Sequence, residues 1–158
     1  MTEMKPASRR VAEAAEKSGL SIIIVTHEQS TRTAEEAAAA CGCGVGQIVK
    51  SLVFQGKTSG APLLLLVSGS NRVNEKAVAK HIGEALKRPD ATFVRDATGF
   101  AIGGIPPLGH ATALRTYVDQ ALLQYATVWA AAGTPESVFE VEPTALVTAT
   151  GATVIEVT

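Results

Sequence analysis

The chain has 158 residues, enough for one domain that buries roughly 70% of its unfolded surface. Apolar residues make up 46% and aromatics 4%, so the core is expected to consist mostly of Ala, Val, Ile and Leu, with few rings on which bases could stack. The net charge of −1 argues against a broad phosphate-binding surface, and the longest apolar run, Leu63 to Val67, is far too short to span a membrane.

The N-terminus is charged and lacks the apolar stretch of a signal peptide, so a cytoplasmic protein is expected. Pro6 to Ser18 is predicted to be a helix, with Val11, Ala14 and Ala15 as its apolar stripe and Gly19 as its stop. Ser21 to Thr26 is a predicted strand. Thr33-Ala34-Glu35-Glu36 is a capping box that opens a helix over 34–40. Cys41 and Cys43 follow it; two thiols one residue apart suit neither an easy disulfide nor a zinc site, and fit a reducing compartment.

Gly44 to Phe54 is predicted to be a strand entered through a glycine-rich turn. Alternation puts Ile48, Lys50, Leu52 and Phe54 on one face, three of them apolar. A lysine among them either snorkels to water or sits at a pocket where its charge is compensated. Gln55 to Ala61 is a turn, making a hairpin with Pro62 to Ser68, a strand apolar enough to be buried on both faces. Ser68 to Asn71 is a loop. Asn74 caps a helix to Ile82, with Val78 and Ile82 inward and Lys76 and Lys80 outward.

A second helix is predicted from Pro89 to Thr98, with a short strand at 91–94 as the alternative. Thr98 to His110 holds four glycines and two prolines in thirteen residues, a stiff, shaped loop. Strands are predicted at Leu114 to Val118, Tyr125 to Ala131, Ser137 to Val141 and Thr153 to Val157. Helical turns fall at Asp119 to Leu123 and Pro143 to Thr148. The irregular order of strands and helices, with several strands joined by short turns, predicts an α/β fold. A single domain over 1–158 is expected, with a curved, mixed and largely antiparallel sheet surrounded by helices.

Charge is unevenly spread. Residues 72–115 carry seven basic and four acidic side chains, whereas residues 116–158 carry five acids and no Lys or Arg. The basic middle is either a solvated helix face or a local phosphate-binding surface. His27, His81 and His110 are far apart in sequence and form no metal-like pair, so no metal or other cofactor is expected. The glycines at 42, 44 and 46 precede a strand instead of opening a helix, which removes the dinucleotide and P-loop readings. What remains is Lys50 and the rigid loop near position 105. Such a loop can offer amides to a developing oxyanion, and a fixed ammonium can hold a phosphate, a hydroxyl or a carbonyl.

Three blocks, Gly46-Gln47-Ile48-Val49-Lys50-Ser51-Leu52-Val53-Phe54, Val67-Ser68-Gly69-Ser70-Asn71-Arg72-Val73 and Thr98 to His110, together resemble the YbaK-like aminoacyl-tRNA deacylases, free-standing relatives of the prolyl-tRNA synthetase editing domain. The resemblance runs from Ser30 to Gly133. It implies hydrolysis, without a metal, of the ester between a wrong amino acid and the tRNA 3′ end, with water or a substrate group attacking the carbonyl. Lys50 matches the essential lysine of that family, and Gly103 and Pro107 match the ends of its Gly-x-x-x-Pro loop. Ser51, Ser68, Asn71, Gly104, Ile105 and His110, in the same blocks, are the candidates for binding substrate.

The implied partner is the acceptor end of an aminoacyl-tRNA, held by Lys50 with Arg72, Lys76 or Lys80 at the rim. An aminoacyl-tRNA synthetase is a further partner; DNA and membranes are not. Some relatives that remove cysteine from proline tRNA have an acidic residue where this chain has Val138. A more apolar pocket is therefore expected here, with alanine as open as cysteine. A non-catalytic module that binds aminoacyl-tRNA or a synthetase, and a hydrolase for another small acyl ester, are the competing readings.

Overall fold

The computed structural model describes residues 4–158. Helices α1 (Pro6–Lys17), α2 (Ala34–Cys41), α3 (Glu75–Ile82), α4 (Ala91–Thr98) and α5 (Pro143–Thr150) lie between strands β1 (Ile24–Thr26), β2 (Val49–Gly56), β3 (Pro62–Ser68), β4 (Leu86–Lys87), β5 (Arg115–Asp119), β6 (Val128–Ala131), β7 (Ser137–Val141) and β8 (Thr153–Ile155). The fold is α/β, and its mixed pairing is largely antiparallel and divided between two sheets. One has the order β1-β7-β6 and the other β4-β2-β3-β5-β8. The β3–β5 and β5–β8 pairs are parallel, and the rest are antiparallel. Among the described residues a bridge between Ile48 and Trp129 links the two sheets.

Local chemistry explains most boundaries. Both halves of the Thr33–Glu36 capping box form. Asn74 and Asp90 cap α3 and α4 by accepting from Ala77 N and Phe93 N. Each such cap satisfies an amide that the helix leaves unpaired, worth about 1 kcal/mol. The alternative strand at 91–94 is therefore helix. The hairpin forms with Lys50 opposite Val67 and Phe54 opposite Leu63. Leu63 to Val67 are fully buried at the centre of the larger sheet. Leu64 and Leu66 enter one core with Val49, Phe100, Val118 and Phe139; Leu63, Leu65 and Val67 enter another with Phe54, Val78 and Ile82.

Four expectations shift. The predicted strand at Ser21 to Thr26 narrows to three residues, because its pairing with β7 begins at Ile24 opposite Phe139. Val45–Gln47 is a turn of 3-10 helix, so β2 starts at Val49 and the glycines belong to the turn. Ile48 consequently leaves the face shared by Leu52 and Phe54 and packs on Ala37 and Ala38. The strand after the Asp119 turn begins at Val128, not Tyr125, and the last strand ends at Ile155.

Candidate functional site

The site lies along the part of β2 that has a sheet neighbour on one side. Among the described residues β4 pairs with β2 at Gln55 and Gly56 alone, leaving Val49 to Phe54 with β3 as their partner. Two cavities follow this stretch. The first, about 300 Å³, is walled by Ala37, Ile48, Trp129, Ala130 and Val138, with Arg32 and Gly103 at its border. The second, about 350 Å³, is walled by Val53, Phe54 and Val94 and bordered by Arg72, Arg88 and Pro89. Lys50, Ser51, Leu52, Ile102 and Ile105 line both.

Lys50 stands at the junction. It is half-buried, and its Nζ donates to the Asn71 carbonyl oxygen at 2.6 Å. Burial pushes its pKa below the ordinary lysine value; the Arg72 charge pushes the same way, while Glu35 and Asp119 hold it up. Asp119, 2% exposed, organises the segment that holds Lys50. Its Oδ2 accepts from Asn71 Nδ2 at 2.9 Å and from the Ser68 amide at 3.1 Å, and its Oδ1 accepts from the Ala121 amide at 2.9 Å. A buried carboxylate with three donors is a rigid anchor. Sequence reasoning treated Asp119 as the start of a helical turn. An acid at the N-cap of that turn was the available signal.

The glycine- and proline-rich loop contributes Ile102, Gly103 and Ile105 to the lining of the first cavity. Its shape depends on two glycines. Gly103 has φ +106°, and a Cβ there would lie 2.8 Å from Arg32 Nε, so Arg32 covers this turn. Gly104 lies against the Thr134 backbone, where a Cβ would meet N, Cα and C at 2.7–2.9 Å. Its carbonyl accepts from the Gly133 amide at 3.0 Å. The Gly103 and Ile105 amides have no backbone acceptor among the described residues, whereas Gly104 N donates to Ala101 O at 3.3 Å. From behind, Arg10 lies 4.1 Å over the Phe100 ring, and Phe100 meets His110 edge-on at 6.2 Å.

The structure thus sorts the sequence-predicted residues. Lys50, Ser51, Gly103 and Ile105 border the cavities. The Ser51 hydroxyl oxygen is buried and without a hydrogen-bond partner among the described residues. Ser68 is fully buried and donates to the Gly46 carbonyl at 2.7 Å. Asn71 acts through its carbonyl on Lys50. Gly104 and Pro107 are buried inside the loop. His110 donates from Nε2 to the Pro106 carbonyl at 2.8 Å, and burial pushes its pKa down, keeping it neutral as a brace within the loop. Arg32 and Arg88, at the two cavities, were missed because exposed arginines carry no periodicity. No cluster of metal-ligating side chains occurs among the described residues, and no helix there is long and apolar enough to cross a membrane.

A model of the aminoacyl-tRNA editing domain matches residues 28–149. A solved structure of a candidate trans-editing enzyme for prolyl tRNA synthetase is 47% identical, with a TM-score of 0.91 over 98% of each chain. The uncharacterised protein YwhH of Bacillus subtilis is 30% identical over 76% of each chain. A candidate Cys-tRNA(Pro)/Cys-tRNA(Cys) deacylase, EbsC of Enterococcus faecalis, is 29% identical over 80% of this chain and 77% of its own.

Proposed function

Since the chain belongs to the aminoacyl-tRNA editing domain family, we propose that it is a trans-editing hydrolase that removes a small wrong amino acid, such as alanine or cysteine, from proline tRNA. The observation that carries this reading is that Lys50 and the loop line the same cavities, Ile105 with Lys50 in both and Gly103 with it in the first. An ester fits such a junction. Its acyl side chain enters the apolar first cavity, its terminal nucleoside enters the second, and its carbonyl lies between Lys50 and the loop.

Water, or a nucleophilic group of the substrate, adds to the carbonyl carbon. The oxyanion that forms accepts from the free Gly103 and Ile105 amides, which favour the transition state over the planar ester. The bond to the ribose oxygen then breaks and that oxygen takes up a proton, releasing tRNA with a free terminal ribose. After attack by water the other product is the amino acid. Lys50 supplies a fixed positive charge for the ribose and phosphate of the terminal nucleotide, with the Ser51 hydroxyl beside it. His110, held within the loop, is not the base.

The wall containing Val138, Ile48 and Ala130 presents no charged group to the acyl side chain, which supports alanine at least as well as cysteine. In this reading the protein works in the cytoplasm, alone on released tRNA or beside a synthetase. A panel of mischarged tRNAs, proline tRNA included, tests it. Release of at least one amino acid above the spontaneous rate is expected. A panel left intact under excess protein would sink the proposal and leave a non-catalytic binder.

A further inference from the structure

The groove has a direction, and the direction says where the rest of the tRNA goes. The first cavity is walled mostly by apolar side chains with one exposed arginine, Arg32, at its border, whereas the second is bordered by two, the exposed Arg72 and Arg88, beside the lysines of α3. We propose that the acceptor stem leaves the groove past these two arginines and continues along the exposed flank of α3, where Lys76 and Lys80 receive its phosphates. The proposal rests on the deacylase reading, because that reading puts the acyl group in the first cavity and so sends the nucleic acid out through the second.

Three observations support the path. Arg88 Nη2 lies 3.2 Å from Glu75 Oε2 at the start of α3, so the helix begins at the mouth of the second cavity. The Arg88 side chain is 80% exposed. An ion pair that open to water binds weakly, leaving the guanidinium free to exchange its carboxylate for a phosphate. Next, Val78 and Ile82 are buried beneath α3, and Lys76 and Lys80, four residues apart, share its exposed flank. Neither lysine, nor Arg72, has an ion-pair partner among the described residues. Finally, the far side of the first cavity is the less favourable direction, since Arg32 is its one border cation and the segment behind it is acidic. Residues 116–158, which build β6, β7 and α5, carry five acids and no Lys or Arg. Glu140 and Glu142 are exposed there and would repel a phosphate backbone.

The test compares two substrates on the wild type and on Lys76→Glu/Lys80→Glu, with Lys76→Gln/Lys80→Gln as a milder second variant. One substrate is mischarged proline tRNA. The other is the same amino acid esterified to adenosine, which has no stem. Reversal is expected to raise KM for the tRNA by ~10-fold or more, with kcat little changed, and to raise KM for the adenosine ester far less. The dependence of log KM on log salt should lose about 2 from its slope, one for each phosphate released.

Equal KM for tRNA in the wild type and both variants would overturn the proposal, as would an equal rise for both substrates. If the wild type hydrolyses neither substrate, the deacylase reading fails by itself, and direct tRNA binding by the same three proteins decides this one. Binding weakened by the substitutions upholds the path; binding they leave unchanged, or no tRNA binding at all, overturns it.

Discussion

The two cavities share Lys50, Ser51, Leu52, Ile102 and Ile105 and differ in almost everything else. The first draws its remaining walls mainly from the smaller sheet, α2 and the segment before it, and they are mostly apolar, with Thr31, Thr33 and the single guanidinium of Arg32 at the border. The second draws them from β2, the segment before α3, the segment before α4 and α4 itself, and they carry two guanidinium groups, Arg72 and Arg88. An ester of an amino acid and a nucleotide has the same asymmetry, with a small side chain at one end and a polyanion at the other. In the proposed reading the contrast makes selectivity and anchoring separable, because each is built by different segments around a common junction.

Removing the junction should break both sides at once. Lys50→Ala is expected to lower deacylation by ~10²-fold or more, and Lys50→Arg should restore little of it, since a planar fork does not replace a point charge aimed at Asn71. Single-turnover rates on mischarged tRNA check this. Gly104→Ala comes next, because its Cβ would meet backbone and not a yielding side chain. It should displace the loop, lowering kcat by roughly 10²-fold and stability by about 1–3 kcal/mol, as read by turnover and thermal melting.

Val138→Ala touches the first cavity alone. It should move the kcat/KM ratio toward larger aliphatic acyl groups by ~10-fold, at one to three kcal/mol per methylene lost or gained. A series of aminoacyl groups on one tRNA measures that ratio, and an unchanged ratio would remove Val138 from the selectivity wall.

Asp119→Asn should act more mildly and through charge. Lys50 faces Glu35, Arg72 and Asp119, and of these Asp119 is one that holds its pKa up. Without that charge the ammonium loses its proton at lower pH, so the alkaline limb of kcat/KM should move to lower pH. A loss of stability with an unmoved limb would make Asp119 merely structural.

The smallest effect on the groove is expected from Glu84, at the far end of the hairpin. Its carboxylate accepts from the Ser59 and Thr58 amides, the Ser59 hydroxyl and Arg115, and is held down to about 2, first by the Ser59 amide. A lowered acid stabilises above its unfolded pKa, so this contribution is complete above about 4.5 and fades as pH falls toward 2. Glu84→Gln should melt earlier than the wild type at neutral pH, approach it in strong acid, and leave deacylation as it was.

Much of this arrangement was legible in the residues. The helix caps, the β2–β3 hairpin and the buried Leu run are local signals, and each formed. The three sequence blocks located the Lys50 strand and the loop that meet at the junction. Less legible were features made by distant partners. β4 is two residues long and too short for any period, and it exists because Gln55 and Gly56 meet it. The division into two sheets depends on which strand each edge finds, which alternation does not encode. Asp119 is an anchor because folding buries it against Ser68 and Asn71, and its neighbours in the chain give no hint of them.

The bridge between Ile48 and Trp129 gives the two cavities different mechanical characters. The first is a seam between sheets, since Trp129, Ala130 and Val138 lie on one side of it and Ile48 and Lys50 on the other. The second draws on the larger sheet and its helices and loops alone. Held by the bridge and by the core that Leu64 and Leu66 share with Phe139, but by no ladder among the described residues, the seam is expected to open at lower free energy than the β2–β3 ladder. Amide protons of β6 and β7 should therefore exchange faster than those of β3. A bound acyl group that stitches the seam should slow the former and barely touch the latter, which would make the width of the amino acid pocket a property of breathing between two sheets.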